Sequence, residues 1–477
     1  MENKDSNNTP KVVYGVLPTI VYYAFSFLDG YDAQTLSVCF RAFEMSLELS
    51  PSTLSFLATV ELMSILGFAP PWGFIADRFE NNHVLTFATV TSGVVCILIG
   101  VASNYSFILF LRLLHGFSLA ATVPMVQKII TDSTTAAVRG VAFGKYHSIA
   151  CLGRLISALV TTVVSMQVIF GFYGWRVSYV IVGIVWIFTS VFVFLFMKPT
   201  SVNKDPKEID AEKGETNSLS EVTMTLKSKI ISGWGTIKQI MSTRTSWIAL
   251  LAVYISDAPF GAFVYLIMYF QYEGLSDFIA GVGCATTLIG GVIGGYALGR
   301  LIDSCHKKNE KYGRLIIGTA IMVTRLVVVL TFFLGPKVDG SLEWHHYIGL
   351  AILGATLVTV SSIDRTVMAD VVPDNHQAFA FSLIRALAGI PSSATFLPLC
   401  GFLAERSFGY IKTDQLVKDM DSVTRITNAT ALSKSIICVI GGGTIINILL
   451  YLLFFITYPT DSMKFKKESK ELTVVPS

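Results

Sequence analysis

Gly73-Phe74-Ile75-Ala76-Asp77-Arg78 closes one long apolar run, and Gly299-Arg300-Leu301-Ile302-Asp303 closes another. Asp77 and Asp303 stand 226 residues apart, and Asp32 and Asp257, each inside an earlier apolar run, stand 225 apart. A third stretch, Asp132 to Ala142-Phe143, returns as Asp370 to Ala380-Phe381 with the same internal distance. One Gly-x-x-x-Asp match is near chance. Two at equivalent ends of equivalent runs, with a third agreement elsewhere, point to a duplicated chain.

The runs themselves are membrane-length. The chain is 52% hydrophobic and only 14% charged, with a mean hydropathy of +0.61, whereas a soluble domain carries about 25% charge. A span needs about 20 mostly apolar residues. Twelve candidates appear, at 14–38, 52–76, 84–103, 106–131, 139–166, 176–197, 247–272, 277–301, 313–335, 345–369, 377–404 and 433–458. Backbone polar groups must be satisfied inside lipid, so runs this long are helices. The expected fold is an all-α polytopic membrane protein of twelve transmembrane helices in two pseudo-symmetric six-helix bundles, 14–197 and 247–458. Residues 1–13 and 459–477 are read as tails. The polar stretch 198–246 is read as a linker ending in a short interfacial helix, because Leu226, Ile230, Trp234 and Ile237 recur at helical spacing.

An even number of spans puts both termini on one side. Arg78, Arg139, Lys145, Lys307, Lys308, Lys311, Arg314 and the tail lysines 464, 466, 467 and 470 all fall on that side. By the positive-inside rule it is cytoplasmic. The 405–432 loop holds four basic residues on the other side, but it is long and also acidic, and long loops weigh little. The plasma membrane and an endomembrane remain equal alternatives. Asn428-Ala429-Thr430 is a glycosylation sequon in that outer loop. The seven cysteines are scattered and mostly lie in apolar runs, which is buried-thiol usage. No cofactor, metal or nucleic acid is expected, and the expected functional unit is the monomer.

The repeat, the twelve spans and the Gly73–Arg78 segment resemble the major facilitator superfamily, and Arg112-Leu-Leu-His115-Gly116 resembles its fourth-helix arginine motif. Within it, Leu114-His-Gly-Phe-Ser-Leu119, Asp132-Ser133, Arg139-Gly-Val-Ala-Phe-Gly144, Gly174-Trp-Arg176 and Thr457-Tyr-Pro-Thr-Asp461 look most like the spinster-like branch, especially its plant and protist members. The resemblance implies a secondary transporter working by alternating access. It also implies that Gly73, Asp77, Arg78, Gly299 and Asp303 act in gating, with Gly73 admitting a close neighbour and Asp77 locking onto a later helix. Two departures stand out. Glu80, Asn81 and Asn82 occupy positions where the family carries a glycine and two basic residues. Asp29-Gly30-Tyr31-Asp32 resembles the first-helix acids of aromatic-acid proton symporters rather than the spinster Asp-Arg.

Charged side chains inside a span are costly and face a cavity or each other. Asp29, Asp32, Glu61, Arg112, Arg154, Asp257, Arg325, Asp364, Arg365 and Arg385 all fall inside candidate spans. Helical rise places Asp32 at a depth similar to Arg112, so a pair between Asp29 or Asp32 and Arg112 is expected. Three roles compete for the group. An arginine can take a carboxylate or phosphate bidentately, a membrane carboxylate can carry a proton, or the pairs can merely staple helices. His115, one turn from Arg112, is read first as a satisfied core histidine and second as a proton relay. Pro259, next to Asp257, is a candidate helix break, and the glycines at 290–295 read as close helix packing. The resulting expectation is proton-linked transport of an anionic or amphipathic solute, either lysolipid-like or an organic acid. Against it stand a transporter-like receptor or scaffold and a membrane-embedded lipid-modifying enzyme. No nucleophile elbow or metal-ligand spacing supports the enzyme.

Overall fold

A computed structural model describes residues 12–134, 139–198, 201–202, 241–335, 340–371 and 377–473. Twelve helical spans follow one another. Span 1 is Val16–Val38 and continues as the short helix Phe40–Leu47. Span 2 is Pro51–Arg78, span 3 Asn81–Val101, and span 4 Tyr105–Leu119 with Thr122–Ser133. Span 5 is Arg139–Ser165 and span 6 Gly174–Phe196. Span 7 is three pieces, Arg244–Ser256, Ala258–Phe263 and Leu266–Tyr272. Span 8 is Asp277–Lys308, span 9 Gly313–Leu334, span 10 Trp344–Ala369 and span 11 Gln377–Phe402. Span 12 runs from Ser422–Ile436 through a π turn, Ile437–Gly441, into Gly442–Thr473. Eleven helices among the described residues are long and apolar enough to cross a membrane. Val16–Val38 is equally long but carries Asp29 and Asp32, which make it more polar.

The duplication is visible in the packing. Spans 1 and 5, 3 and 6, and 2 and 4 pack together in the first half. Spans 7 and 11, 9 and 12, and 8 and 10 pack together in the second. The two halves meet through spans 2 and 11 and through spans 5 and 8, contacts that are themselves related by the repeat. Small residues set the crossings, because nothing but packing and hydrogen bonding draws apolar helices together in lipid. A Cβ on Gly30 would lie 1.9 Å from the Ala150 carbonyl oxygen, and one on Gly290 would lie 2.2 Å from that of Ala351.

Several boundaries and expectations change. Span 12 begins inside the expected outer loop, at Ser422, and continues helically to Thr473, well past 458. Asn428 is fully buried, and its side chain donates to the Ile411 carbonyl and accepts from the Ile411 N–H, both at 2.7 Å. The folded chain therefore offers no glycosylation acceptor there. Val12–Val13 pairs antiparallel with Ser201–Val202, so the residues entering span 1 and those leaving span 6 lie at the same end. The expected interfacial helix falls within 203–240, outside the described residues.

Candidate functional site

The acids and arginine of the first half meet, but not in the expected pairing. Arg112 does not pair with Asp29 or Asp32; its Nη1 donates to Glu61 Oε2 at 2.8 Å, and its Nη2 donates to the Tyr179 hydroxyl. His115 fills the gap. Its Nδ1 is 2.6 Å from Glu61 Oε1, and its Nε2 is 3.0 Å from Asp32 Oδ2. Asp32 also accepts from Trp186 Nε1 at 2.8 Å. Two residues on the same helical face, Arg112 and His115, thus reach across to span 2, and His115 passes on to span 1. A direct Asp32–Arg112 pair loses to this arrangement because the imidazole stands between them and can use both nitrogens.

Burial within the chain is unequal. The side chains of Asp32, His115 and Arg112 are 1% exposed, while that of Glu61 is 15% exposed. Glu61 is therefore the outlet of the chain Asp32–His115–Glu61–Arg112–Tyr179. A Cβ on Gly116 would lie 2.4 Å from the Glu61 carbonyl oxygen, so glycine there lets span 4 press against span 2 at the depth of the pair. Cys96 Sγ lies 3.4 Å from His115 Nε2, and Asp32, Cys96 and His115 offer ligand-type atoms within 4.8 Å of one another. Metal-binding types have come together here, but the histidine nitrogens are already committed to the two carboxylates, and hydrogen bonding accounts for the geometry. Tyr179, Trp186 and Cys96 were not singled out in the sequence. An aromatic or thiol in an apolar helix carries no signal beyond core packing.

The remaining candidates disperse. Asp29 is half-buried, with the Tyr146 hydroxyl at 3.5 Å, and exposed Arg154 acts on it electrostatically. Asp257 sits between two pieces of span 7, just before Pro259, at the expected break. Arg325 hydrogen-bonds not to an acid but to Thr356, through Nη2 to the carbonyl oxygen at 2.5 Å. The side chains of Asp77, Arg78, Arg365 and Arg385 lie outside the described residues. Gly73 is not in a tight crossing: a Cβ there would meet only Pro124 Cβ at 3.9 Å, and one on Gly299 would meet nothing within 4 Å. Asp303 is exposed. Among the described residues, the first motif is tied to span 4 through Lys128 and the Ala76 carbonyl oxygen.

The halves are clamped together at the opposite end. Arg41 and Glu44 are fully buried and 2.7 Å apart. Glu44 accepts from the hydroxyls of Tyr272 at 2.9 Å and Tyr410 at 2.7 Å, both from the second half. Arg41 donates to the Thr413 carbonyl oxygen at 3.0 Å and to that of Gln415, and its guanidinium lies 5.0 Å from the centroid of the Tyr272 ring. Tyr265 donates to the Pro51 carbonyl oxygen, and Ser52 to Glu405. A Cβ on Gly281 would lie 2.4 Å from the Ala158 carbonyl oxygen, while Gly144 and Gly299, at the other ends of spans 5 and 8, have open space. Among the described residues, polar ties at the end carrying the termini join helices of one half, as in Lys128 to the Ala76 carbonyl and Arg314 to Asp370. Among the described residues, the polar ties between the halves gather at the end away from the Val12–Val13 and Ser201–Val202 pair.

The Major Facilitator Superfamily profile matches residues 17–409. A probable sulfoacetate transporter of Cupriavidus necator is 26% identical over 334 residues, 67% of this chain and 71% of that one. A probable galactarate/D-glucarate transporter of Escherichia coli is 22% identical over 397 residues, 79% of this chain and 84% of that one. Against two further curated relatives the chain spans only 43% and 35% of their length. Among solved structures, a bacterial homologue of the human lysosomal transporter Spinster, inward-facing and unoccupied, superposes with a TM-score of 0.72 over 94% of this chain and 98% of that one, at 15% identity. That likeness concerns the fold.

Proposed function

This chain belongs to the Major Facilitator Superfamily, and from that premise we propose that it is a secondary active transporter working by alternating access, moving an organic anion in company with protons. The observation that carries the reading is the buried chain Asp32–His115–Glu61–Arg112 with its single outlet at Glu61. Glu61 holds Arg112 while it is ionised. A proton arriving at Glu61 cancels the charge that engages the guanidinium, and Arg112 is then free to take an anionic group of the cargo. His115 touches both carboxylates, so it can pass the proton between Glu61 and Asp32. The anionic cargo is supported by the two relatives named for sulfoacetate and for galactarate and glucarate, all organic anions.

With the termini cytoplasmic, the sealed end faces outward and the conformation is inward-facing. The Gly73–Arg78 and Gly299–Asp303 segments then act in the opposite state, when the cytoplasmic end closes and the halves rock about the central site. The test is uptake of labelled glucarate into proteoliposomes under an imposed pH gradient. Acid outside the entry face should drive accumulation in the native protein, and Glu61→Gln and Asp32→Asn should each abolish the response to the gradient. A gradient response unchanged in both variants would sink the assignment of these carboxylates.

A further inference from the structure

The second half holds a buried carboxylate that the proton chain does not use. Asp364, in span 10, is 1% exposed. Its Oδ2 accepts from Ser256 Oγ at 2.7 Å, and its Oδ1 accepts from the Tyr451 hydroxyl at 2.6 Å. Both donors are neutral. Among the described residues no ion pair reaches Asp364, and the nearby Arg325 of span 9 spends its Nε and Nη2 on Thr356. Among the described residues, the charged groups acting on Asp364 are Arg325 and, with opposite sign, Asp257 of span 7. A fully buried carboxylate within a membrane span, served only by hydroxyls, is expensive as a bare anion and calls for a positive charge.

The surroundings are built to receive one. Asn447 of span 12 is 1% exposed; its Nδ2 donates to Ser256 Oγ at 2.8 Å, while its Oδ1 is buried with no partner. Thr444, one turn earlier on the same face, is also 1% exposed, and its Oγ1 is likewise unpartnered. Buried acceptors are almost always satisfied, so the orphaned oxygen of Asn447, whose amide nitrogen bonds the same Ser256 hydroxyl that serves Asp364, marks an unmet ligand. The atoms on offer are all oxygens, the donor set of a hard cation. Ser256 is the last residue of the first piece of span 7, immediately before the break at Asp257 and Pro259. Whatever charge Asp364 carries is therefore read directly by the hinge of span 7.

We propose that Asp364, Ser256, Asn447 and Tyr451 form a second cation site, in the C-terminal half, that takes one monovalent cation, a proton or Na+. The occupant neutralises Asp364, and its arrival or departure sets how firmly Ser256 ties the span 7 break to spans 10 and 12. The site shares no residue with the Asp32–Glu61 chain, so failure of one leaves the other standing.

The experiment is thermal unfolding of the full-length protein in detergent, scanned across pH with NaCl or with choline chloride at equal ionic strength. Two arms distinguish the occupants. If the site takes Na+, NaCl raises the melting temperature relative to choline, and half-saturation moves to higher Na+ as the pH falls, because protons compete. Asp364→Asn abolishes that response, and Asn447→Ala weakens apparent Na+ affinity about tenfold, the loss of one good ligand. If the site takes only a proton, choline and sodium curves coincide, and infrared difference spectra show a protonated-carboxyl band that titrates in the native protein and is absent from Asp364→Asn. Should Asp364→Asn not fold, Tyr451→Phe retains the carboxylate, and its missing hydroxyl shifts the same band. No Na+ response together with no carboxyl band removed or shifted by these variants would overturn the proposal.

Discussion

Arg112 does several jobs with one side chain. Its two terminal nitrogens serve Glu61 and Tyr179, and its guanidinium lies 5.2 Å from the centroid of the Tyr179 ring. A lysine keeps the charge but offers a single compact ammonium, which cannot hold both partners in the plane they occupy. Arg112→Lys should therefore remain folded while anion affinity falls about tenfold or more, read by ligand-dependent thermal shift with glucarate. Arg112→Ala should behave differently, because it leaves Glu61 partly buried without its cation; stripping one partner from a buried pair costs about 3–5 kcal/mol. Equal stability of the two variants would mean that the ion pair does not hold spans 2 and 4 together. The four residues of this chain were legible in the sequence, since a charge in an apolar run announces itself. Their pairing was not. It depends on three helices converging, and on a histidine whose twin partners come from spans 1 and 2. Arg41 and Glu44 escaped notice for the opposite reason: they follow the first apolar run, where charge is ordinary, and only the fold buries them.

Elements in this molecule cross where glycine allows. Gly30 meets Ala150, Gly153 meets Phe27, and in both a Cβ would fall within about 2 Å of a carbonyl oxygen. Gly30→Ala should destabilise by about 1–3 kcal/mol, the cost of overpacking a contact that cannot relax without moving a backbone, and the drop should appear in thermal melts. Gly73→Ala should leave the melt unchanged or slightly raised, since its Cβ has room and alanine is the better helix former. Gly73→Leu should also fold, but slow turnover, because the bulk resists closure of the end that carries the termini. A Gly73→Leu protein that turns over normally would remove the gating role. Sequence spacing located the loop motif through its repeat, and in this state Gly73 has room for a Cβ. A glycine reports that a close approach is tolerated, and the conformation decides when it is used. The glycines at 290–295 carried the same kind of signal, and there the crossing with span 10 is in place.

At the scale of the whole molecule, the seal at the end away from the termini is a polar structure among apolar helices, and polar contacts can be made and broken. Glu44 gathers Arg41 from its own half and Tyr272 and Tyr410 from the other. The two tyrosine hydroxyls are the ties through which Glu44 reaches the other half, so Tyr272→Phe with Tyr410→Phe cuts these while sparing the Arg41–Glu44 pair and the bonds of Arg41, Tyr265 and Ser52 across the same end. Hydrogen bonds to a charged group contribute about 1.5–3 kcal/mol each, and each 1.4 kcal/mol is about tenfold in an equilibrium, so the loss of both should move the population toward opening at this end. Glu48 and Lys412 face each other across the same end at 3.6 Å with exposed side chains, and they are the natural label positions. Spin labels at Glu48→Cys and Lys412→Cys, in a Cys438→Ser background because Cys438 is the exposed native thiol, should give one short distance in the native protein. The double phenylalanine variant should add a longer population, with helical content by circular dichroism unchanged. A single short distance in both proteins would show that these two hydroxyls are dispensable for the seal, which is then held by the bonds of Arg41, Tyr265 and Ser52 across the halves together with the packing of spans 2 with 11 and 5 with 8.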